Sequence, residues 1–175
     1  QHYQGTETWI GLHPQILQTP YCDIYKALEL LSDKDIRHVV DIGAGYGRVG
    51  LVLSVLMPEA QFTGYEIVKQ RRSEASRIFT KLKLKNSAIE LQNVLEDSFE
   101  IPEADVFFIY DFSEREDVNI ILRKMLERMR NREFYLITKG DRVDYLMKYI
   151  FNNEWIKFSN VGDTGLKIYK SANAI

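Results

Sequence analysis

The run Val39-Val40-Asp41-Ile42-Gly43-Ala44-Gly45-Tyr46-Gly47-Arg48-Val49-Gly50 constrains the fold more than any other stretch of the chain. Residues 36–42 are rich in β-branched side chains and read as a buried strand. That strand ends in alternating glycines, and an apolar helical pattern follows from Val49 until Pro58 stops it. A glycine-rich turn between a strand and a helix lets backbone approach a ligand closely, and the helix N-terminus adds partial positive charge. Two registers compete. Gly45, Gly47 and Gly50 formally spell G-x-G-x-x-G, the dinucleotide-binding fingerprint. That fingerprint should begin directly after the strand, where Gly43 sits, and its sixth position is then Arg48. From Gly43 the turn instead reads acidic-x-Gly-x-Gly-x-Gly, led by Asp41. A pyrophosphate is repelled by that acid, whereas a ligand with an ammonium group is attracted.

The rest of the chain alternates strand and helix. Strand patterns fall at 61–67, 88–94, 106–110 and 134–138, and helical ones at 70–84, 118–130 and 141–151. Such alternation predicts a mostly parallel sheet covered by helices on both faces. Residues 155–158 and 166–169 break the pattern. The sequence Gly162-Asp163-Thr164-Gly165 joins them, which predicts an antiparallel hairpin at one edge. Ahead of the first strand, Thr19-Pro20 reads as a helix start, with Thr19 as N-cap and Pro20 at the first helical position, and the helix extends to about residue 31. Residues 1–18 carry Tyr3, Trp9 and His13 without periodicity and are expected to form an arm or lid. Residues 19–175 form one domain, a size in keeping with a 175-residue chain.

Glu66 closes the second strand, near the spacing of about 20 residues at which an acid accepts ribose hydroxyls. Loop and acid together point to an adenosine-containing cofactor. Hydride-transfer chemistry lacks support: Tyr-x-x-x-Lys occurs at Tyr65/Lys69 and Tyr135/Lys139, but neither pair lies within a helix that would bring the two groups together. Composition narrows the class further. One cysteine, Cys22, and three histidines leave no basis for a disulfide framework or a Cys/His metal centre. No apolar run approaches the roughly 20 residues of a membrane helix. The expectation is a soluble, cytoplasmic, metal-free domain.

Here the residues resemble the class I S-adenosylmethionine-dependent methyltransferases. Asp41-Ile42-Gly43-Ala44-Gly45-Tyr46-Gly47 looks like their first motif, Glu66 like their ribose-binding acid, and the terminal hairpin like their antiparallel seventh strand. The resemblance implies a Rossmann-like α/β fold with a mostly parallel seven-stranded sheet, an antiparallel C-terminal edge hairpin and S-adenosyl-L-methionine as cofactor. It also implies that Asp41 meets the methionine end, directly or through water, and that Gly43, Ala44, Gly45 and Gly47 line the cofactor, with Thr19 near it. The adenine contact of that family follows the third strand in a Gly-Asp-like pair. This chain has Asn93-Val94-Leu95-Glu96-Asp97 there, so Asn93, Glu96 or Asp97 is the candidate.

The fourth strand runs into Tyr110-Asp111-Phe112-Ser113. No Asn-Pro-Pro-Tyr type motif of nucleobase N-methyltransferases occurs, and Tyr110-Asp111-Phe112 is similar to the Asn-Asn-Phe stretch of the non-SET histone lysine methyltransferases. That likeness implies an amine acceptor. Asp111 would attract the ammonium, and Tyr110 and Phe112 would favour its neutral, nucleophilic form. The alternative for the same residues is structural: Phe112 in the core and Asp111 capping a helix or turn.

Charge is uneven. Residues 69–85 hold seven bases and one acid, and residues 90–117 hold ten acids and one base. An acidic mouth is expected to favour a basic peptide over nucleic acid, and the basic helix reads as a solvated face. The leading expectation is methyl transfer to a protein lysine or other amine. The alternatives are a small-molecule N- or O-methyltransferase and a methyltransferase-like subunit that binds without catalysis. Nucleic acid is the less expected partner, and salt-dependent RNA binding at the basic helix would restore it.

Overall fold

The computed structural model describes residues 18–172. The arm expected at residues 1–18 therefore lies outside the described residues apart from Gln18, and Tyr3, Trp9 and His13 fall there. Five parallel strands, β1 (His38–Ile42), β2 (Gln61–Glu66), β3 (Ser87–Leu91), β4 (Val106–Tyr110) and β5 (Tyr135–Lys139), are followed by β6 (Trp155–Asn160) and β7 (Lys167–Ser171). They form one seven-stranded sheet in the order β3-β2-β1-β4-β5-β7-β6. The apolar strands β1 and β4 lie at its centre, where both faces are buried and polar positions are scarce.

The expected hairpin is present, with one difference in placement. β7 pairs antiparallel with both β5 and β6, so the antiparallel strand lies inside the sheet and β6 takes the edge. The chain crosses to β6 first and returns between β6 and β5. β6 also carries a register shift between Lys157 and Ser159, which interrupts an otherwise open edge.

Helices α1 (Tyr21–Glu29), α2 (Arg48–Leu56) and α3 (Lys69–Lys81) contribute to one apolar cluster, with Val39, Phe62 and Phe108 on the sheet. Helices α4 (Arg115–Arg128) and α5 (Asp141–Tyr149) pack on the other face, around Val40, Phe107 and Leu136. Each strand sends alternate side chains to the two clusters, as a pleated sheet requires. In α4 the buried residues Val118, Ile121, Leu122 and Met125 form a single stripe.

The start of α1 differs from its expected cap. Pro20 itself is the N-cap residue, with extended backbone, and no side chain caps this end. Thr19 is buried, and its carbonyl accepts from Arg48 Nη1 at 3.1 Å. Arg48 also lies over the Tyr21 ring at 4.7 Å. The first residue of α2 thus ties α1 to the glycine loop.

Candidate cofactor site

After β1 the chain goes to β2 and β3 on one side and to β4 and β5 on the other. The order diverges at the C-terminal ends of β1 and β4, the position of the crevice in which ligands of open α/β sheets bind. The glycine loop occupies it. The amides of Gly43 and Ala44 both donate to the Tyr65 carbonyl at 2.9 Å, which pins the loop to the end of β2. Gly47 adopts φ +74° and serves as N-cap of α2. A Cβ there would come within 2.8 Å of Phe79 and Ile89, so only glycine lets α2 start this close to the sheet. Gly45 also has positive φ but faces open space.

Glu66 braces this loop from beneath. Its Oε2 accepts from the Gly45 amide at 2.7 Å and its Oε1 from the Val68 amide at 2.8 Å. The carboxylate is buried and adjoins the loop, where the expected ribose contact would lie. Asp41 lies on the central strand with Gly64 and Phe108 as its cross-strand partners. It is 3% exposed, and its Oδ1 has no hydrogen-bond partner. Burial, with the Glu66 carboxylate as a second cause, pushes its pKa from 3.8 up to about 8. A buried, unpartnered carboxylate oxygen beside a glycine loop fits a ligand that brings its own positive charge. The α-ammonium of S-adenosylmethionine is such a group.

The three residues expected to receive an amine do not form an open acceptor site, and each departs for a physical reason. Tyr110 turns its hydroxyl inward. Burial and the nearby Asp41 carboxylate raise its pKa, and although Thr19 lies close enough to act on the proton, the hydroxyl makes no well-formed hydrogen bond. Phe112 packs on the apolar cluster of the α4/α5 face, and a Cβ on Gly43 would sit 3.1 Å from its own Cβ. Asp111 uses both carboxylate oxygens on helix α5: Oδ2 accepts from the Arg142 amide and Oδ1 from the Val143 amide, both at 2.9 Å. The cause is Gly140, the N-cap residue of α5, which has no side chain to cap its own helix. Asp111 supplies that cap from the neighbouring loop. Replacing Asp111 by Ala is expected to cost about 1–2 kcal/mol of stability, read as a lower Tm, with S-adenosylhomocysteine affinity retained. Loss of cofactor affinity at unchanged Tm would contradict this structural role.

The turn after β3 uses Asn93 internally, since its Oδ1 accepts from the Leu95 amide at 3.1 Å. Asp97 and Glu96 are exposed on the same turn. β3 ends at Leu91, earlier than expected, because the Gln92 amide makes the last bond to β2 through the Glu66 carbonyl. Two contributors escaped the sequence reading. Arg48 carries no local signal for its contact with Thr19. Gly140 does carry one, a glycine directly between a strand and an acidic helix start.

Two acids of the expected acidic mouth lie elsewhere in the fold. Asp105 lies at the opposite end of the sheet, where its Oδ2 accepts from the Arg37 and His38 amides and it pairs with Arg132. Glu103 is there too, near Arg128 and Arg132. At the C-terminal edge of the sheet Asp111 caps α5, Asp117 accepts from the Ser113 hydroxyl, and Glu114 pairs with Arg142 at 3.5 Å. Among the described residues no helix is long and apolar enough to cross a membrane.

Comparison with known proteins shows what the chain is similar to. The family model GidB, rRNA small subunit methyltransferase G, matches residues 11–150. A curated relative, ribosomal RNA small subunit methyltransferase G of Burkholderia ambifaria (strain MC40-6), is 30% identical over 91 residues. That stretch is 51% of this chain but only 40% of the relative's length. An RNA methyltransferase from Salinibacter ruber, solved in complex with S-adenosyl-L-homocysteine, superposes with a TM-score of 0.65 at 19% identity, over 88% of this chain and 92% of that one. The mitomycin 7-O-methyltransferase MmcR gives 0.66 at 17% identity, over 86% of this chain and 52% of that one. At those identities the solved structures establish the fold alone, and they serve different acceptors. The family match overturns the expectation against nucleic acid as a partner, which rested on charge summed along the sequence. With four-fifths of its length matched, the chain belongs to the GidB family, rRNA small subunit methyltransferase G, within the S-adenosylmethionine-dependent methyltransferases.

Proposed function

We propose that this protein transfers a methyl group from S-adenosylmethionine to ribosomal RNA of the small subunit. The family match over residues 11–150 carries this reading, because it spans both the glycine loop and the crevice where an acceptor must meet the methyl donor. The likeness of Tyr110-Asp111-Phe112 to lysine methyltransferases does not compete with it, since Asp111 is engaged as a helix cap and Tyr110 points inward.

When bound, S-adenosylmethionine supplies a sulfonium methyl group for in-line displacement. The chain's own part is placement, and alignment of reacting groups contributes much of the acceleration in such transfers. Asp41 is proposed to receive the ammonium, with Gly43, Ala44, Gly45 and Gly47 lying along the ligand. Glu66 holds the loop through Gly45 and is proposed to accept ribose hydroxyls as well, while Asn93 or Asp97 borders the adenine. Charge supports an RNA acceptor. Lys69 on α3, together with Lys81, Lys83 and Lys85 at its far end, is exposed and has no ion pair among the described residues, whereas Arg77 is held by Glu74 at 2.7 Å.

Incubation with methyl-labelled S-adenosylmethionine and either small-subunit RNA, a panel of basic peptides or a panel of small hydroxylated and amine metabolites tests this assignment. Label is expected in the RNA alone, with transfer falling steeply as salt rises. Label in peptide or metabolite, with none in RNA, would overturn it.

A further inference from the structure

Arg115, the first residue of α4, places its guanidinium 4.6 Å from the Tyr145 ring centroid on α5. Tyr145 and Tyr149 lie one helical turn apart on the same face, with centroids 4.9 Å apart and planes tilted by 48°. Lys148 Nζ lies 4.9 Å from the Tyr149 centroid. The two rings are 43% and 57% exposed, far more than packing on the sheet would leave them. They adjoin a groove of about 560 Å³ between α5 and the β6–β7 pair, to which Trp155, Lys157, Lys167 and Tyr169 also contribute.

We propose that this tyrosine ladder on the outer face of α5 is the platform on which unpaired bases of the RNA substrate stack. The proposal rests on the ribosomal RNA reading above and adds where the RNA lies. Three features favour RNA over a protein partner. A base stacks on Tyr149 by displacing the flexible Lys148 side chain from its ring, and such stacking is available to every base, because each has a π face. The cations Arg115, Lys148 and Lys157 have no carboxylate partner among the described residues, Lys167 neutralises Asp144, and Asp141 is the other carboxylate of the lining, so groove and ladder together carry net positive charge towards a phosphate backbone. The ladder also begins at the C-terminal edge of the sheet: Arg115 follows Ser113 by two residues, and α5 starts at the Gly140–Asp111 contact. RNA with a base in the crevice would run its neighbouring nucleotides along α5. Unpaired rather than duplex RNA is required, since only splayed bases can reach the rings.

The test compares wild type with Tyr149→Ala, Tyr149→Phe and Tyr145→Ala. It measures binding to a fluorescent single-stranded RNA, methyl transfer to small-subunit RNA, and binding of S-adenosylhomocysteine. Tyr149→Ala and Tyr145→Ala are expected to weaken RNA binding by about 5- to 100-fold, with a matching rise in KM for RNA. Tyr149→Phe keeps the ring and is expected to bind like wild type. Cofactor affinity and Tm should stay unchanged in all three, which separates loss of stacking from loss of fold. Equal RNA affinity and equal KM in the alanine variants of an active enzyme would overturn the platform. So would loss of binding to assembled small subunits with free RNA binding intact, which would assign the face to a ribosomal protein. If wild type methylates no RNA, the proposed function fails, yet weaker RNA binding by Tyr149→Ala would still support the surface.

Discussion

Replacing Asp41 by Asn is expected to weaken binding of S-adenosylhomocysteine at least about tenfold and to raise the Tm of the free protein at pH 8. The two effects have one cause. Asp41 is buried with an unpartnered oxygen, and its pKa lies near 8 in the fold against 3.8 ordinarily. Between those values the folded protein retains a proton that the unfolded chain releases. The stabilising contribution of Asp41 is therefore complete below about pH 4 and declines as pH rises towards 8. An amide does not ionise, so the variant escapes that decline, and its Tm advantage at pH 8 should vanish near pH 4. Ligand binding runs the other way. An ammonium group needs the carboxylate, and a charged hydrogen bond of this kind contributes about 1.5–3 kcal/mol. Affinity in wild type should thus rise with pH up to about 8, with proton release seen by calorimetry in buffers of different ionisation enthalpy. A variant with unchanged affinity and no proton release would show that Asp41 does not meet the ligand's charge.

Gly140→Ala should be the most destabilising single-methyl change near the site. Its φ is +131°, and a Cβ would lie 2.3 Å from Asp111 Cγ. Backbone strain and the clash together cost on the order of 3–4 kcal/mol, a fall of roughly 10 °C in Tm for a domain of this size. A double-mutant cycle isolates the mechanism. If the methyl group displaces the Asp111 carboxylate, adding Asp111→Ala to Gly140→Ala should recover part of the loss, because the clash disappears. Strictly additive losses would place the cost in the backbone alone.

These residues also show which parts of the molecule were legible beforehand. The glycine loop could be read because its spacing is local: each glycine follows the last by two positions, directly after a β-branched run. Strand and helix periods were local too, and the sheet follows from them. A capping role for Asp111 was open as an alternative, but the helix it caps was not legible in the same way. The bonds of Asp111 reach Arg142 and Val143, which come near only because β4 and β5 pair with Tyr110 opposite Lys139. Summing acids over residues 90–117 misled for a related reason. That stretch runs from the C-terminal end of β3 to the N-terminal end of β4 and back, so its charges divide between the two ends of the sheet. Asp105 and Glu103 never approach the crevice. The two tyrosines on α5 were visible in sequence, but their pairing with Arg115 needed α4 and α5 packed side by side.

Nucleoside-resolved mass spectrometry of small-subunit RNA after incubation with the protein and S-adenosylmethionine tests the proposed methyl transfer most directly. Methylation of a nucleoside of that RNA is expected, absent when Asp41→Asn replaces wild type at limiting cofactor. Small-subunit RNA that stays unmethylated, under conditions where wild type binds S-adenosylhomocysteine, would contradict it.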